Sequence, residues 1–290
     1  MRTRTFLSLA VLAAVAFLAL GVATKTLLQV DGMLVASEGG GGFASVLKFG
    51  HADAINATEE TVYQGNDLVA LSPARKFTNE AGGDYTLYIS SDAVADADEV
   101  VTVEGTDASG DAISVDVTLV TSGGTGTAVT MVGTASNWDR VNRAYHLGAA
   151  ALAGNVYLHL DATDAGTDGI PDDPANEMIT GFVAGEEQTL QAAYSVPAGW
   201  TAYVTGWHVS NLASGGTTNP VTIRMRGRSD PANTLRTKSL QSIDKGDHYS
   251  RIARPYWKFP EGSDIEMTAQ AEAAQNLDIA AEFDVILVAD

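Results

Sequence analysis

Apolar and polar residues alternate with a period of two along most of the chain from Val46 onward, and that period predicts β-strands. Tyr85-Thr86-Leu87-Tyr88-Ile89 is one such stretch. Glu99–Gly105 and Ile113–Leu119 alternate on either side of Asp107-Ala108-Ser109-Gly110-Asp111, a run of turn residues, and so predict a hairpin. Further strands are expected at 127–132, 139–147 and 154–160, then at 188–196, 201–209, 220–227, 235–241, 263–270 and 277–288. Between Ala193-Tyr194-Ser195-Val196 and Thr201–Trp207 lies Pro197-Ala198-Gly199, where Pro fixes φ and Gly supplies positive φ for a tight turn. The Ala-rich 271–275 fits a short helical turn. No long amphipathic helix is expected after residue 24. Short strands at regular spacing predict an all-β chain of two antiparallel β-sandwich or jelly-roll-like domains, not a βαβ sheet.

The first residues depart from this pattern. Arg2 and Arg4 precede an apolar run, Phe6–Leu20, which ends on small residues at Gly21-Val22-Ala23. A basic start, an apolar stretch and small residues match a secretory signal peptide. Phe6 to Ala23 is also just long enough for an apolar helix or arm that stays on the protein as an anchor. Gly39-Gly40-Gly41-Gly42 reads as a flexible joint. The expected organisation is an N-terminal segment and linker over 1–45, a first β domain over 46–178 and a jelly-roll-like sandwich over 179–290.

Composition narrows the function classes. Seventeen Lys and Arg against 36 Asp and Glu give a formal charge of −19. Such a surface repels a nucleic-acid backbone and suits solubility in salt-rich surroundings. The absence of cysteine removes disulfides, thiolate metal sites and cysteine nucleophiles. No Gly-x-Ser-x-Gly elbow, phosphate loop or dinucleotide fingerprint is present, so no catalytic role is expected.

The run Gln188–Tyr203 resembles a jelly-roll module of virion structural proteins from tailed marine phages. Lys48-Phe49-Gly50, Val62-Tyr63 and Gly105-Thr106-Asp107-Ala108 fit the same family. The resemblance covers residues 46–290 and implies a capsid-decorating or fibre-like part of a virion.

Several residues are candidates for binding. Asp161, Asp164, Asp168, Asp172 and Asp173 form an acidic loop with Gly169. Hard cations such as Ca²⁺ take six to eight oxygens, which carboxylates at odd spacings around a Gly turn can supply. Gly166 stands where such loops normally carry a ligand, and a solvated surface loop explains the same residues. The five histidines (His51, His146, His159, His208, His248) lack paired zinc spacing, and His159 and His208 read as packed or edge residues within strands. Arg224, Arg226 and Arg228 alternate along one strand and project from a single face. With Trp207 and Trp257 they are candidates for a subunit interface that accepts an acidic neighbour; a solvated basic face is the other reading. Trp200, Trp207, Tyr203, Tyr256 and Trp257 together are aromatic side chains of the kind that stack on sugars, or that pack a core or a subunit contact. Asn56-Ala57-Thr58 is a glycosylation sequon of a kind that arises readily by chance.

These observations predict a non-enzymatic virion structural protein of a tailed virus. It would assemble with itself, as a trimer for example, and with major capsid or tail proteins, and could touch a host-surface glycan. The alternative is an exported cell-surface β-sandwich binding protein held in the membrane by its N-terminal segment.

Overall fold

A computed structural model describes residues 42–64, 68, 86–120, 128–131, 138–160, 169–171, 178–212, 220–229, 234–272 and 277–290. The N-terminal apolar segment, Gly39–Gly41 of the joint and all five acidic-loop aspartates lie outside these residues, as does most of 271–275. The chain is all-β. Its strands are β1 (Phe43–Ile55), β2 (Glu60–Thr61), β3 (Tyr88–Ser91), β4 (Val100–Asp107), β5 (Ala112–Thr118), β6 (Ala128–Met131), β7 (Trp138–His146) and β8 (Val156–His159). They continue with β9 (Met178–Phe182), β10 (Ala193–Ser195), β11 (Trp200–Asn211), β12 (Val221–Arg228), β13 (Arg236–Ile243), β14 (His248–Phe259), β15 (Asp264–Ala271) and β16 (Leu277–Ala289). Among the described residues no helix is long and apolar enough to cross a membrane.

The larger sandwich is built from β1 and β10–β16. One sheet has the order β1-β16-β11-β14 and the other β10-β15-β12-β13, with β2 added beside β15. Numbered within the sandwich alone, these orders are 1-8-3-6 and 2-7-4-5, which is the eight-stranded jelly roll. Its first strand comes from far upstream: β1 pairs with β16 from Phe43↔Val288 to Ile55↔Leu277. The core between the sheets takes Ala52, Ile55 and Val62 together with Val204, Trp207, Ile223, Met225, Met267, Ile279 and Phe283. Each fully buried Val, Ile, Met or Phe among them contributes about 1.5–3 kcal/mol from removal of its apolar surface from water.

β11 shows how sequence alternation and the core are kept in phase. Its inward residues run Ala202, Val204, then Trp207, Val209, an odd step in the middle. A register shift between Val204 and Gly206 against both β14 and β16 absorbs the extra residue. A bulge of this kind re-aims every side chain after it.

Between β1 and β10 the chain builds a second, smaller sandwich. One sheet is β6-β3-β8-β9 and the other β5-β4-β7. Its core holds Leu87, Ile89, Val101, Val103, Trp138, Val141, Leu158, Ile179 and Phe182. The expected hairpin is β4–β5, paired from Val100↔Thr118 to Thr106↔Ala112. Asp107 Oδ1 accepts the backbone N–H groups of Ser109 and Asp111, and Gly110 takes φ +84°, so the turn chemistry matches the residues that predicted it.

Entry to and exit from the smaller sandwich run side by side. Tyr63 bridges to Gln191, Ala192 N donates to Val62 O, and Gln64 N donates to Leu190 O. Gly50 of β1 lies directly against this pair of segments: a Cβ there would come within 2.1 Å of Val62 O and 2.5 Å of Ala192 N. Only glycine leaves room for the backbones to approach so closely.

Candidate functional site at the junction of the two sandwiches

Three sets of residues meet where the sandwiches touch. β7 runs along the return segment, with Thr189 N bonded to Ala144 O and His146 N to Glu187 O. The side chain of Asn142 makes a closed pair with Ser195, its amide donating to Ser195 O and its oxygen accepting from Ser195 N at 2.8 Å. Gln191 Nε2 donates to Val141 O, and its Oε1 accepts from Thr180 Oγ1 at 2.7 Å.

Below this seam lies a buried charged cluster. Asp264 at the start of β15 is 1% exposed and accepts from Arg228 Nε at 2.7 Å, Arg140 Nε at 3.3 Å and Ser195 Oγ at 2.6 Å. Arg140, on β7 of the smaller sandwich, is 2% exposed and bonds Asp139 Oδ1 at 2.8 Å. Burial raises the Asp139 carboxyl above the ordinary carboxylate range despite the pull of Arg140. The single carboxylate of Asp264 thus joins a guanidinium from each sandwich.

On the other side of the seam is a pocket of about 560 Å³, lined by β1, the β4–β5 hairpin, β7 and the return segment. Lys48, Glu104, Arg143, Gln188 and Tyr194 supply its polar wall. Lys48 is in phase with Val46, Gly50 and Ala52, so an ammonium group sits where β1 otherwise turns small or apolar residues. Its Nζ donates to Asn142 O across the junction. Burial, reinforced by Arg143 and opposed by Glu104, pushes its pKa down to about 7. Burial and the nearby Glu104 raise the Tyr194 hydroxyl. Arg143 donates to Gln188 Oε1 at 2.8 Å and lies 4.4 Å over the Tyr145 ring.

An amine near its neutral point is a potential nucleophile or base. Here its protons are directed at the Asn142 carbonyl, and Glu104, which accepts from the Tyr145 hydroxyl at 3.2 Å, stands in the same wall. The pocket is therefore equipped to hold a small polar group, with cationic, amide and hydroxyl donors around it.

The basic stripe sits as its spacing implies, on one face of β12, but its partners belong to the chain itself. Glu59 lies 3.6 Å from Arg224 and 3.0 Å from Arg226, and Asp264 takes Arg228. Trp207 is 0% exposed, packed in the jelly-roll core with its ring 5.0 Å from Tyr249, and so has no surface to offer another subunit. Trp257 is half-buried beneath Arg251, whose guanidinium is 5.7 Å from the ring. His159 is fully buried and shares a hydrogen bond with Ser90 Oγ at 3.1 Å, whereas His208 is 43% exposed at its side chain. His146 is held between Glu99 at 2.8 Å and Glu187 at 2.6 Å. Among the described residues no group of three His, Asp or Glu could hold a metal ion.

Sequence reasoning named Lys48 only within a motif of the resemblance, and did not mark Lys48, Glu104, Arg140 or Asp264 as site residues. The one available signal was Lys48 itself, a charged residue in the buried phase of an alternating strand.

No protein-family model and no curated protein matches the sequence. Solved structures give only distant likenesses. A chain of the cowpea mosaic virus top component, a naturally occurring empty particle, is 10% identical over 71% of this chain and 82% of its own, with a TM-score of 0.20. The tandem of two CBM22 domains at the N-terminus of Xyn10C from Paenibacillus barcinonensis is 14% identical over 86% and 94%, with a TM-score of 0.22. A chain of infectious bursal disease virus is 10% identical over 85% and 71%, at 0.18. Likeness of this degree assigns neither ancestry nor role.

Proposed function

We propose that this protein is a non-enzymatic structural component of a tailed-virus particle, decorating the capsid or forming a head or tail fibre through self-assembly. The observation that carries this reading is the complete 1-8-3-6 and 2-7-4-5 strand order, with a second sandwich inserted after its first strand and hydrogen-bonded to it along a seam. Eight-stranded jelly rolls build capsid and lectin domains, where function resides in packed faces and loops and needs no catalytic centre. An inserted, tied-down module projects from such a domain without losing its orientation. The charge of −19 favours an exposed outer position over contact with packaged nucleic acid.

Mass spectrometry and cryo-EM of purified particles test the proposal. The expected result is this chain present at a stoichiometric copy number, with density for two joined sandwiches; its absence from particles sinks it.

A second reading, an exported and membrane-anchored cell-surface binding protein, is favoured by the basic and apolar N-terminus and by the polar pocket at the junction. N-terminal sequencing separates the versions, since a mature chain beginning near Thr24 rules out attachment through the retained segment.

A further inference from the structure

We propose that the β13–β14 edge of the jelly roll docks on the acidic smaller sandwich of a second copy of this chain, in a head-to-tail contact. The inference deepens the assembly reading above and rests on it. It begins with the distribution of charge. Of the 17 Lys and Arg, nine lie between Val221 and Phe259, where there are only three acidic residues. Residues 86–192 hold 17 acidic residues and two basic ones, Arg140 and Arg143.

The β12 arginines are engaged by carboxylates of the chain, whereas the next group lies at the surface, with Arg251 over Trp257 and Lys238 over Phe259. Arg236 and Lys238 on β13 and Arg251, Arg254 and Lys258 on β14 are all exposed. Arg236, Arg254 and Lys258 make no side-chain hydrogen bond or ion pair with a described residue. Among these cations stand Leu240 at 56% exposure, Ile252 at 64% and Tyr256 at 40%. Exposed large apolar side chains flanked by arginines offer surface that a second molecule can cover. The two strands close the same side of the jelly roll, one from each sheet, and Arg251 Nη1 bonds Ser239 Oγ at 2.8 Å between them. They present one continuous strip.

The mode of contact follows from the same residues. Pro255 and the basic side chains oppose addition of another strand to the β14 edge. Two copies of the strip facing each other would set cation against cation, so a symmetric pair is disfavoured. The complementary surface on this chain is the smaller sandwich, where Asp111 and Glu186 are exposed. A strip on one copy meeting a different surface on the next is a heterologous contact, which closes into a ring or extends into a fibre.

Sedimentation velocity of the full chain over a dilution series tests this. The wild type is expected to self-associate. The variant Arg236→Glu, Arg254→Glu, Lys258→Glu should associate at least about tenfold more weakly, since like charges across a contact cost more than the 1.4 kcal/mol that tenfold represents. Its melting temperature should be unchanged, because none of the three has a hydrogen-bond or ion-pair partner among the described residues. Asp111→Lys with Glu186→Lys should weaken association likewise, and the two variants mixed should bind each other. A monomeric wild type, or reversed-charge variants that associate as the wild type does, would overturn the proposal. So would binding of the strip to a double-stranded DNA fragment in place of a second copy. A chain found in virions but monomeric in solution sinks the docking and leaves the assembly reading standing; a self-associating chain absent from virions does the reverse.

Discussion

The jelly roll and the smaller sandwich use the same material differently. β1, β11, β14 and β16 of the jelly roll run 12 or 13 residues, and β16 alternates buried and half-buried positions over most of its length. In the smaller sandwich β3, β6 and β8 are four residues each, and β8 and β9 are buried at every position. The long strands give the jelly roll two extended faces and two edges to present. The short ones give the smaller sandwich a compact core and an acidic surface. Their connection is correspondingly polar, made of Asn142, Gln191, Ser195, Arg140 and Asp264 in place of shared apolar side chains. Polar seams fix orientation more sharply than apolar ones, because each donor must find its acceptor.

Removing the shared carboxylate is the strongest way to break this pairing. Asp264→Ala leaves Arg140 and Arg228 buried without their common anion, and breaking a buried ion cluster in this way costs about 3–5 kcal/mol. Urea unfolding followed by tryptophan fluorescence should show the loss. A change below about 1 kcal/mol would mean that the seam bonds around Asn142 and Gln191 carry the junction instead.

Trp138 and Trp207 report on the two cores separately, since each is almost wholly buried in its own. Each substitution to Ala should cost about 3–5 kcal/mol. With the seam intact, both variants are expected to shift one cooperative transition. Two transitions, each responding to one substitution, would show that the sandwiches unfold independently. In the Asp264→Ala background that second pattern becomes the expected one.

Legibility in the sequence follows the same division. The β4–β5 hairpin, β12, β15 and β16 were visible because period two and turn chemistry are local signals. β14 was missed because its exposed edge carries Arg254, Pro255 and Lys258, and so has no alternation to read. β9, Met178–Phe182, was missed for the opposite reason, being buried throughout. The pairing of β1 with β16 is non-local, and no short-range pattern announces it. The face shared by Arg224, Arg226 and Arg228 was legible, whereas Glu59 and Asp264, their partners, come from distant segments. For Trp207 the sequence left core and interface both open, because aromatic content alone does not distinguish a core from a surface, and it lies in the core.

Lys48 sharpens the comparison through pH. Its folded-state pKa near 7 lies below the ordinary 10.5, so between those values the unfolded chain binds a proton that the folded chain does not. Stability should therefore climb as pH rises through this window, by at most about 1.4 kcal/mol per unit. Below pH 7 both states are protonated, and the full cost of burying the ammonium is present. Lys48→Met removes this dependence, so the difference between variant and wild type in urea melts should be greatest at pH 6 and fade toward pH 10. A difference that stays constant with pH would show that Lys48 is charged in the folded protein throughout.

The smallest effect is expected at Glu59, and its size separates the two arginine clusters. Glu59 is 29% exposed at its side chain, and it faces Arg224 and Arg226 while also accepting from Thr268 Oγ1 at 2.6 Å. Partly exposed ion pairs are screened by solvent and contribute about 0–1 kcal/mol. Glu59→Gln keeps a hydrogen-bond acceptor for Thr268 and removes the charge, so a loss of about 1 kcal/mol or less is expected in the same urea melts. The loss should shrink further in high salt, whereas that of Asp264→Ala should hardly move, because a buried pair is screened much less. A salt-independent loss of several kcal/mol at Glu59 would mean that the β12 face is as dry as the junction, and that both clusters hold the jelly roll in the same way.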